Sequence, residues 1–469
     1  MNTDNFGLSE DQLKAIVAEG LKSGGDWCDL YFEDTSYSDL LLRDSEVGSG
    51  SFNIDYGCGV RVLCGEKTGY AYSEATDFVS LIQAARAAGS IATSGSPGRT
   101  VHIPCPVKPG PDVYAMQQDW RNVSAGQFVP YLEKIDKGIR QKDDRAVKVV
   151  AMLSYSVSNI MMYNSLGELT RDCRPLGSLS VTSVFQQDGK TETKSVSRSL
   201  RMGVEMMTDE VADDLITRST KGIDERFAAK RPKGGRMSVV MGAGASGILL
   251  HEAMGHAFEA DFNRKGQSIF ADKMGKRICK KGINILDDAT IPGNRGSLNY
   301  DDEGVPGQKT YMVTDGVLTS YLHDRISAAW YGVASTGNGR RESFRYNPIP
   351  RMRATYMESG SDGTVSDLIA SVKKGIYVNE FSNGQVKIGE GDFTFYVKSG
   401  SLIENGRLTM PVKDINIIGN GPQALADITA VASDLKIDEG TWTCGKEQSV
   451  AVSCGIPSVL VKNLTVGGE

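Results

Sequence analysis

The sequence predicts an α+β protein: N-terminal units that mix helices with antiparallel strands, followed by a strand-rich C-terminal domain that carries one conspicuous helix. Three observations predict it. Helical stretches flank groups of strand-like runs instead of alternating with them one for one. The runs Gly59 to Cys64 and Gly69 to Tyr72 are separated by the turn residues Gly65-Glu66-Lys67-Thr68, which close a hairpin. From Met237 onward, strand runs punctuated by glycine dominate, and Ser246 to Asp261 is the one long helical pattern among them.

Taken in order, Ser9 caps a helix whose apolar stripe is Leu13, Ile16, Val17 and Leu21, and Gly24-Gly25 stops it. Strand runs follow at Trp27 to Asp34, Leu40 to Arg43, Gly59 to Cys64 and Gly69 to Tyr72, and a helix from about Asp77 to Ala92 closes the unit. Ser94 to Asp112 is rich in Pro, Gly and Ser and reads as a linker. Next come a helix near Gln127 to Gln141, strands at Ala146 to Val157, Ile160 to Tyr163 and Leu179 to Phe185, and a charged helix from about Asp209 to Ala229. Lys230 to Arg236 marks the clearest boundary. The expected division is therefore 1–93, 94–235 and 236–469. The first two units share a helix-then-meander order, but their sequences are too dissimilar to be read as a repeat.

Length and composition narrow the function. A chain of 469 residues supports two or three cores. The net charge of -6 lacks the basic surplus that a nucleic-acid footprint requires. Nowhere do 18 apolar residues run together, so no membrane span is expected. The N-terminus has no basic segment leading into an apolar one, and the eight cysteines show no CxxC spacing, so free thiols in a reducing cytoplasm are expected.

The chemistry concentrates in His251-Glu252-Ala253-Met254-Gly255-His256, two of only four histidines, set five residues apart around one glutamate. The common H-E-x-x-H motif puts its histidines on one helix face at i and i+4. At i and i+5, an ideal α-helix would leave the imidazoles about 140° apart. A π-bulge, whose hydrogen bond runs i→i+5, would bring them together, and Gly255 lowers the cost of that distortion. With zinc bound, Glu252 would take a proton from the metal's water and deliver it to the leaving amine of a peptide. Two histidines need a third ligand, and the residues alone leave His102, His323, Cys444 and Cys454 open.

The sequence resembles the TldD/PmbA family of metallopeptidases, and the TldD branch in particular. The likeness extends from Gly59-Val60-Arg61-Val62 and Gly69-Tyr70-Ala71-Tyr72 to Leu464-Thr465-Val466-Gly467-Gly468. Its most specific stretch is Leu250 to His256, continued by Glu259-Ala260-Asp261-Phe262-Asn263-Arg264-Lys265-Gly266. Asp301-Asp302-Glu303-Gly304, Thr336-Gly337-Asn338-Gly339-Arg340-Arg341 and Gly419-Asn420-Gly421-Pro422 add to it. The resemblance implies His251 and His256 as zinc ligands, Glu252 as the base and, from the family's Cys-Gly-Lys segment, Cys444 as the third ligand. It also implies a cytoplasmic peptidase acting on unfolded peptides or leader peptides, as a homodimer or with a PmbA-type subunit. The chain departs from the family at Ile456, usually glutamine, and at Arg353-Ala354, usually Thr-Asn; the stretch after Lys446 runs one residue short. These departures bear on substrate contacts and leave the metal residues intact.

Two other readings compete. Gly242, Gly244 and Gly247 form a G-x-G-x-x-G after the apolar Val239-Val240-Met241, the context of a dinucleotide-binding oxidoreductase. Its acidic partner should end a second strand, whereas Glu259 and Asp261 belong to the helix or its end, so close packing of the helix start is the favoured role of the glycines. A non-catalytic peptide-binding subunit would not need all of His251, Glu252, His256 and Cys444. Gly337 to Arg341 offers a site for a carboxylate or phosphate, against which stands the expectation of a tight Asn338-Gly339 turn flanked by solvated arginines.

Overall fold

The computed structural model describes residues 6–93, 112–114, 116–387 and 390–468. Helix α1 (Glu10–Leu21) begins at Ser9, whose side chain accepts the Gln12 N–H while Gln12 reaches back to the Ser9 N–H, a capping box. Strands β1 (Trp27–Arg43), β2 (Glu46–Cys64) and β3 (Lys67–Ser73) form a meander, and α2 (Phe78–Ala92) starts on the Asp77 cap. The same order then repeats: α3 (Val129–Lys142), β4 (Ala146–Asn164), β5 (Leu169–Gln187), β6 (Lys190–Leu200) and α4 (Asp209–Thr220). A short α5 (Ile223–Ala228) follows left-handed Gly222, which divides the single charged helix expected from the sequence.

The two meanders are one sheet. β1 pairs antiparallel with β4 from Asp29↔Asn164 to Arg43↔Val150, giving the order β3-β2-β1-β4-β5-β6. Its strands are longer than their apolar runs. The expected pairs Trp27 to Asp34 with Leu40 to Arg43, and Ala146 to Val157 with Ile160 to Tyr163, are each one continuous strand. Polar residues such as Ser36 and Ser38 stay in β1 because that strand is hydrogen-bonded on both edges, to β2 and to β4. Helices α1 and α2 cover one core, with Leu13, Ile16, Phe32, Val60 and Leu81. Helices α3 and α4 cover another, with Leu132, Ile135, Leu153, Leu179 and Leu215. The long strands serve both: Leu40 and Leu42 of β1 enter the second core, and Met161 and Tyr163 of β4 enter the first.

From β7 (Gly235–Met241) onward the chain builds two mixed sheets. One contains β7 between Lys374–Val386, parallel to it, and Val459–Val466, antiparallel. The other centres on Ile285–Asp288, Ala354–Met357 and Ser453–Ile456. The helical segment that follows β7 is buried in the same core as residues of both sheets, Leu249, Leu250 and Phe258 joining Val239, Ile376, Phe395, Ile285 and Met312. Among the described residues, no helix is long and apolar enough to cross a membrane.

Buried ions tie the first sheet to this C-terminal part. Arg61 on β2 is fully buried, with Nη2 2.6 Å from Asp29 Oδ2 and Nη1 2.6 Å from Glu303 Oε1. Arg174 on β5 likewise bridges Asp172 and Asp302. Removing one member of such a set leaves carboxylates buried and unpaired. Replacing Arg61 with Met is therefore expected to cost about 3–5 kcal/mol, seen as an earlier urea-unfolding midpoint; a change below about 1 kcal/mol, the scale of an exposed pair, would contradict this account.

Candidate metal centre

The segment after β7 is helical but not one helix. A 3-10 turn at Ala245–Gly247 leads into the α segment Ile248–Leu250, then a π turn at His251–Gly255 and a 3-10 turn at His256–Phe258. Within the π turn the His256 N–H donates to the His251 carbonyl, an i→i+5 bond. The extra residue swings the two imidazoles together, with ring centroids 5.2 Å apart and planes at 80°. Gly255 is required for more than flexibility: a Cβ there would lie 2.1 Å from Met352 Sδ. The single helix expected to reach Asp261 ends earlier, because Glu259 turns extended (φ -67, ψ 126) and pairs with Leu322; Ala260–Arg264 then forms a separate short helix.

A hairpin of Thr443–Lys446 and Gln448–Ala451 supplies Cys444. Arg351, fully buried, clamps its backbone, Nη2 donating to the Cys444 carbonyl at 2.6 Å and Nη1 to the Gln448 carbonyl at 2.8 Å. One donor atom each from His251, His256 and Cys444 lies within 4.8 Å of the others, all three residues being buried, and Cys444 Sγ is 3.4 Å from His256 Nε2. Burial opposes ionisation of the Cys444 thiol, but the two imidazoles outweigh it and hold the thiol well below its usual range. Burial also opposes protonation of His256, yet Glu259 and Cys444 raise its pKa well above the usual value. Such a thiolate beside two imidazoles is an N2S donor set of the kind that suits zinc. The imidazole Nδ1 of His251 is buried with no hydrogen-bond partner among the described residues. These residues fit a metal: three buried groups each offer one donor atom within 4.8 Å of the others.

Behind His256 stands a chain of charges. Glu259 Oε2 accepts from His256 Nδ1 at 3.1 Å and lies 3.0 Å from Lys446 Nζ, which also reaches Asp261 at 2.8 Å. Burial would raise the Glu259 carboxyl, but Lys446 and His256 prevail and hold it down at about 2. Holding Nδ1 in this way points Nε2 at Cys444, the second layer that a ligating histidine needs. Sequence reading placed Glu259 and Lys446 only within motif stretches; the available signal was the i, i+3 spacing of His256 and Glu259.

Glu252 sits half-buried in the π turn, with no hydrogen-bond or ion-pair partner among the described residues. The other candidate ligands lie apart from the cluster. Cys454 is buried opposite Thr355 in the parallel pairing of Ser453–Ile456 with Ala354–Met357, where burial pushes its thiol up. His323 is buried against Tyr321 and Tyr331, and burial pushes it down to about 4. His102 falls outside the described residues.

Gly242, Gly244 and Gly247 do not open a long helix; a Cβ on Gly247 would lie 2.6 Å from Gly455 N, so the turn packs directly on backbone. That removes the helix N-terminus a dinucleotide fingerprint needs. The expectation of solvated arginines after Gly339 is corrected: Arg340 and Arg341 are 4% and 5% exposed. Asn338 is buried and donates to Asp287 and to the Arg351 carbonyl, which draws the segment into the core.

Residues 28–92, 118–230 and 234–468 match the models of PmbA/TldA metallopeptidase domain 1, central domain and C-terminal domain. A protein named metalloprotease TldD homolog from Haemophilus influenzae is 38% identical over 454 residues, covering 94% of this chain and 93% of its own. A protein named zinc metalloprotease TldD homolog from Saccharolobus solfataricus is 33% identical over 62% of this chain and 65% of its own. The fold is shared with the crystal structure of TldE from Thermococcus kodakarensis at a TM-score of 0.77 and 19% identity, over 97% of this chain and 100% of that one. Matches to all three domain models, joined to a relative 38% identical across nearly the full length, place the chain in the PmbA/TldD family of metallopeptidases.

Proposed function

We propose that the chain is a zinc-dependent peptidase hydrolysing unfolded peptides or leader peptides, with His251, His256 and Cys444 as metal ligands and Glu252 as general base. The carrying observation is the convergence of two buried imidazoles and a buried thiol from a π turn and a hairpin far apart in the chain. Two nitrogens and one sulfur suit zinc, and three protein donors leave a fourth position for water. Zinc bound there would acidify that water and polarise the scissile carbonyl.

The chain's own groups do the rest. Glu252 follows His251 directly and is committed to no other described side chain, so its carboxylate can receive the water's proton and return it to the leaving amine. Glu259 fixes the His256 ring, and Lys446 keeps Glu259 ionised. Arg351 holds the Cys444 backbone in place. Free thiols at all seven described cysteines accord with a cytoplasmic setting. The reading extends to assembly as a homodimer or with a PmbA-type subunit, as the resemblance to the family implies.

Metal analysis of the purified protein tests the centre directly: about one zinc per chain is expected for a single three-ligand site, lost in His256→Ala. Absence of metal from the unaltered protein, even after zinc is added back, would sink the proposal. Glu252→Gln should keep its zinc while hydrolysis of an unfolded peptide falls by about a hundredfold or more; undiminished turnover would remove Glu252 from the reaction. Glu259→Gln should bind zinc about 10–100-fold more weakly, measured by competition with a chelating dye, and an unchanged affinity would deny Glu259 its orienting role.

A further inference from the structure

The first sheet ends on one side at β6 and on the other at β3 and β2. The β6 margin is closed by the rest of the chain. The Ser199 N–H donates to the Glu439 carbonyl at 2.6 Å, and the carbonyls of Thr193 and Ser195 accept from Arg226 at 2.7 Å and Lys398 at 3.2 Å. The opposite margin is open over much of its length. β3 pairs with β2 only from Cys58↔Ser73 to Cys64↔Lys67, whereas β1 pairs with β2 all the way down to Glu46. From Glu46 to Gly57 the outer side of β2 therefore has no strand beside it among the described residues.

The residues of this stretch are those of a paired strand, not of an edge left to water. Proteins guard a free edge with lysine, proline or inward-pointing charge. Glu46 to Gly57 contains no lysine, arginine or proline, and its charged residues are Glu46 and Asp55. Its one irregularity is a bulge near the hairpin turn, where Gly48 has no residue opposite it in β1. Val47, Phe52 and Ile54 are 55%, 64% and 62% exposed. An apolar edge of this kind, without gatekeeping charge, favours pairing with another strand.

The stretch is complementary to itself. Phe52 lies opposite Ser38 and Gly50 opposite Leu40, so both share the sheet face on which Leu40 meets the core of α3 and α4. On that face opens a groove of about 400 Å3, lined among others by Ser38, Gly50, Phe52, Trp120 and Val123. Antiparallel pairing of β2 with a second β2, about a two-fold axis at Ser51, sets Ser51 against Ser51, Ser49 against Asn53 and Phe52 against Gly50. A glycine opposite the ring lets it lie across the neighbouring backbone, here at the mouth of the groove. The carboxylates that approach at each end are already matched by cations. Glu46 stands opposite Arg43 across the hairpin, and Asp55 is 2.6 Å from Arg345 Nη1.

We propose that the open edge of β2 is the contact between two copies of this chain, paired antiparallel about a two-fold axis at Ser51. Two six-stranded sheets then become one continuous sheet, and Phe52 of each copy enters the groove of the other. The pairing gives partners to the backbone groups on the outer side of β2. The edge is roughly 40 Å long at about 3.4 Å per residue, and with about 10 Å for the thickness of a packed sheet it offers on the order of 400 Å2 per copy. A standard interface buries about 800 Å2 per partner, so side chains must contribute as much again, and the groove is where Phe52 does so. The inference deepens the reading of the chain as a homodimer and rests on it, independently of the peptidase chemistry.

Sedimentation velocity of the full chain, without any second protein, reads the assembly, and the unaltered protein should be a dimer at micromolar concentration. Phe52→Lys and, independently, Ile54→Lys should raise the dimer dissociation constant about tenfold or more while the circular dichroism spectrum stays unchanged. Ser51→Cys should give a reducible covalent dimer on mild oxidation, absent from the unaltered protein. Two-fold-related residues of an antiparallel pair have Cα atoms about 4.5–5.5 Å apart, within disulfide reach. Adding Phe52→Lys to Ser51→Cys should abolish that cross-link. A monomer at every concentration overturns the homodimer reading and this inference together. A dimer that tolerates both lysines, or whose Ser51→Cys form does not cross-link, overturns this surface alone. Should the lysine variants unfold, the Ser51→Cys cross-link decides by itself.

Discussion

The centre depends on one backbone hydrogen bond, from the His256 N–H to the His251 carbonyl. A regular α-helix would close that carbonyl on residue 255 and send the imidazoles to different faces. The wider turn is possible because Gly255 admits Met352 where a side chain would otherwise stand. Nor is the π turn isolated: Leu249, Leu250, Met254 and Phe258 are buried in the core shared by the two C-terminal sheets, so packing holds the irregular segment in register. The geometry that gathers His251, His256 and Cys444 is therefore anchored on its apolar side while its polar side faces the hairpin.

Electrostatics around that turn are layered. Cys444 and His256 stabilise one another's ionised forms, Glu259 stabilises His256 from behind, and Lys446 stabilises Glu259. Each charge is buried and each is answered by the next, as a low-dielectric interior demands. Glu259 and Lys446 have their charges satisfied within the protein, and neither needs an incoming ligand.

The first sheet shows the opposite relation between sequence and structure. Its helices were plain in the sequence, since Ser9 and Asp77 are caps and the apolar stripe of α1 has helical period. Its strands were legible only in part. Ser36, Ser38 and Ser158 carry no strand signal of their own; they extend because β1 and β4 are hydrogen-bonded to each other along most of their length. The two-fold repetition of helix, meander and helix is likewise a matter of pairing geometry more than of residue identity.

By itself the sequence determined the local shape of the candidate site: the spacing of His251 and His256 with Gly255 between them pointed to a local i→i+5 distortion, which the π turn bears out, and that is a property of the backbone that neighbouring residues specify. Only the tertiary structure decided which distant groups meet there. Cys444 and Cys454 are both buried cysteines near glycines, and nothing local separates them; the hairpin delivers one to the imidazoles, while the sheet holds the other opposite Thr355. Arg340 reads as a surface residue beside an Asn-Gly turn until Asn338 is seen bonded to Asp287 and the Arg351 carbonyl. Burial is set by all the elements packed around a residue, and so a single stretch of chain does not contain it.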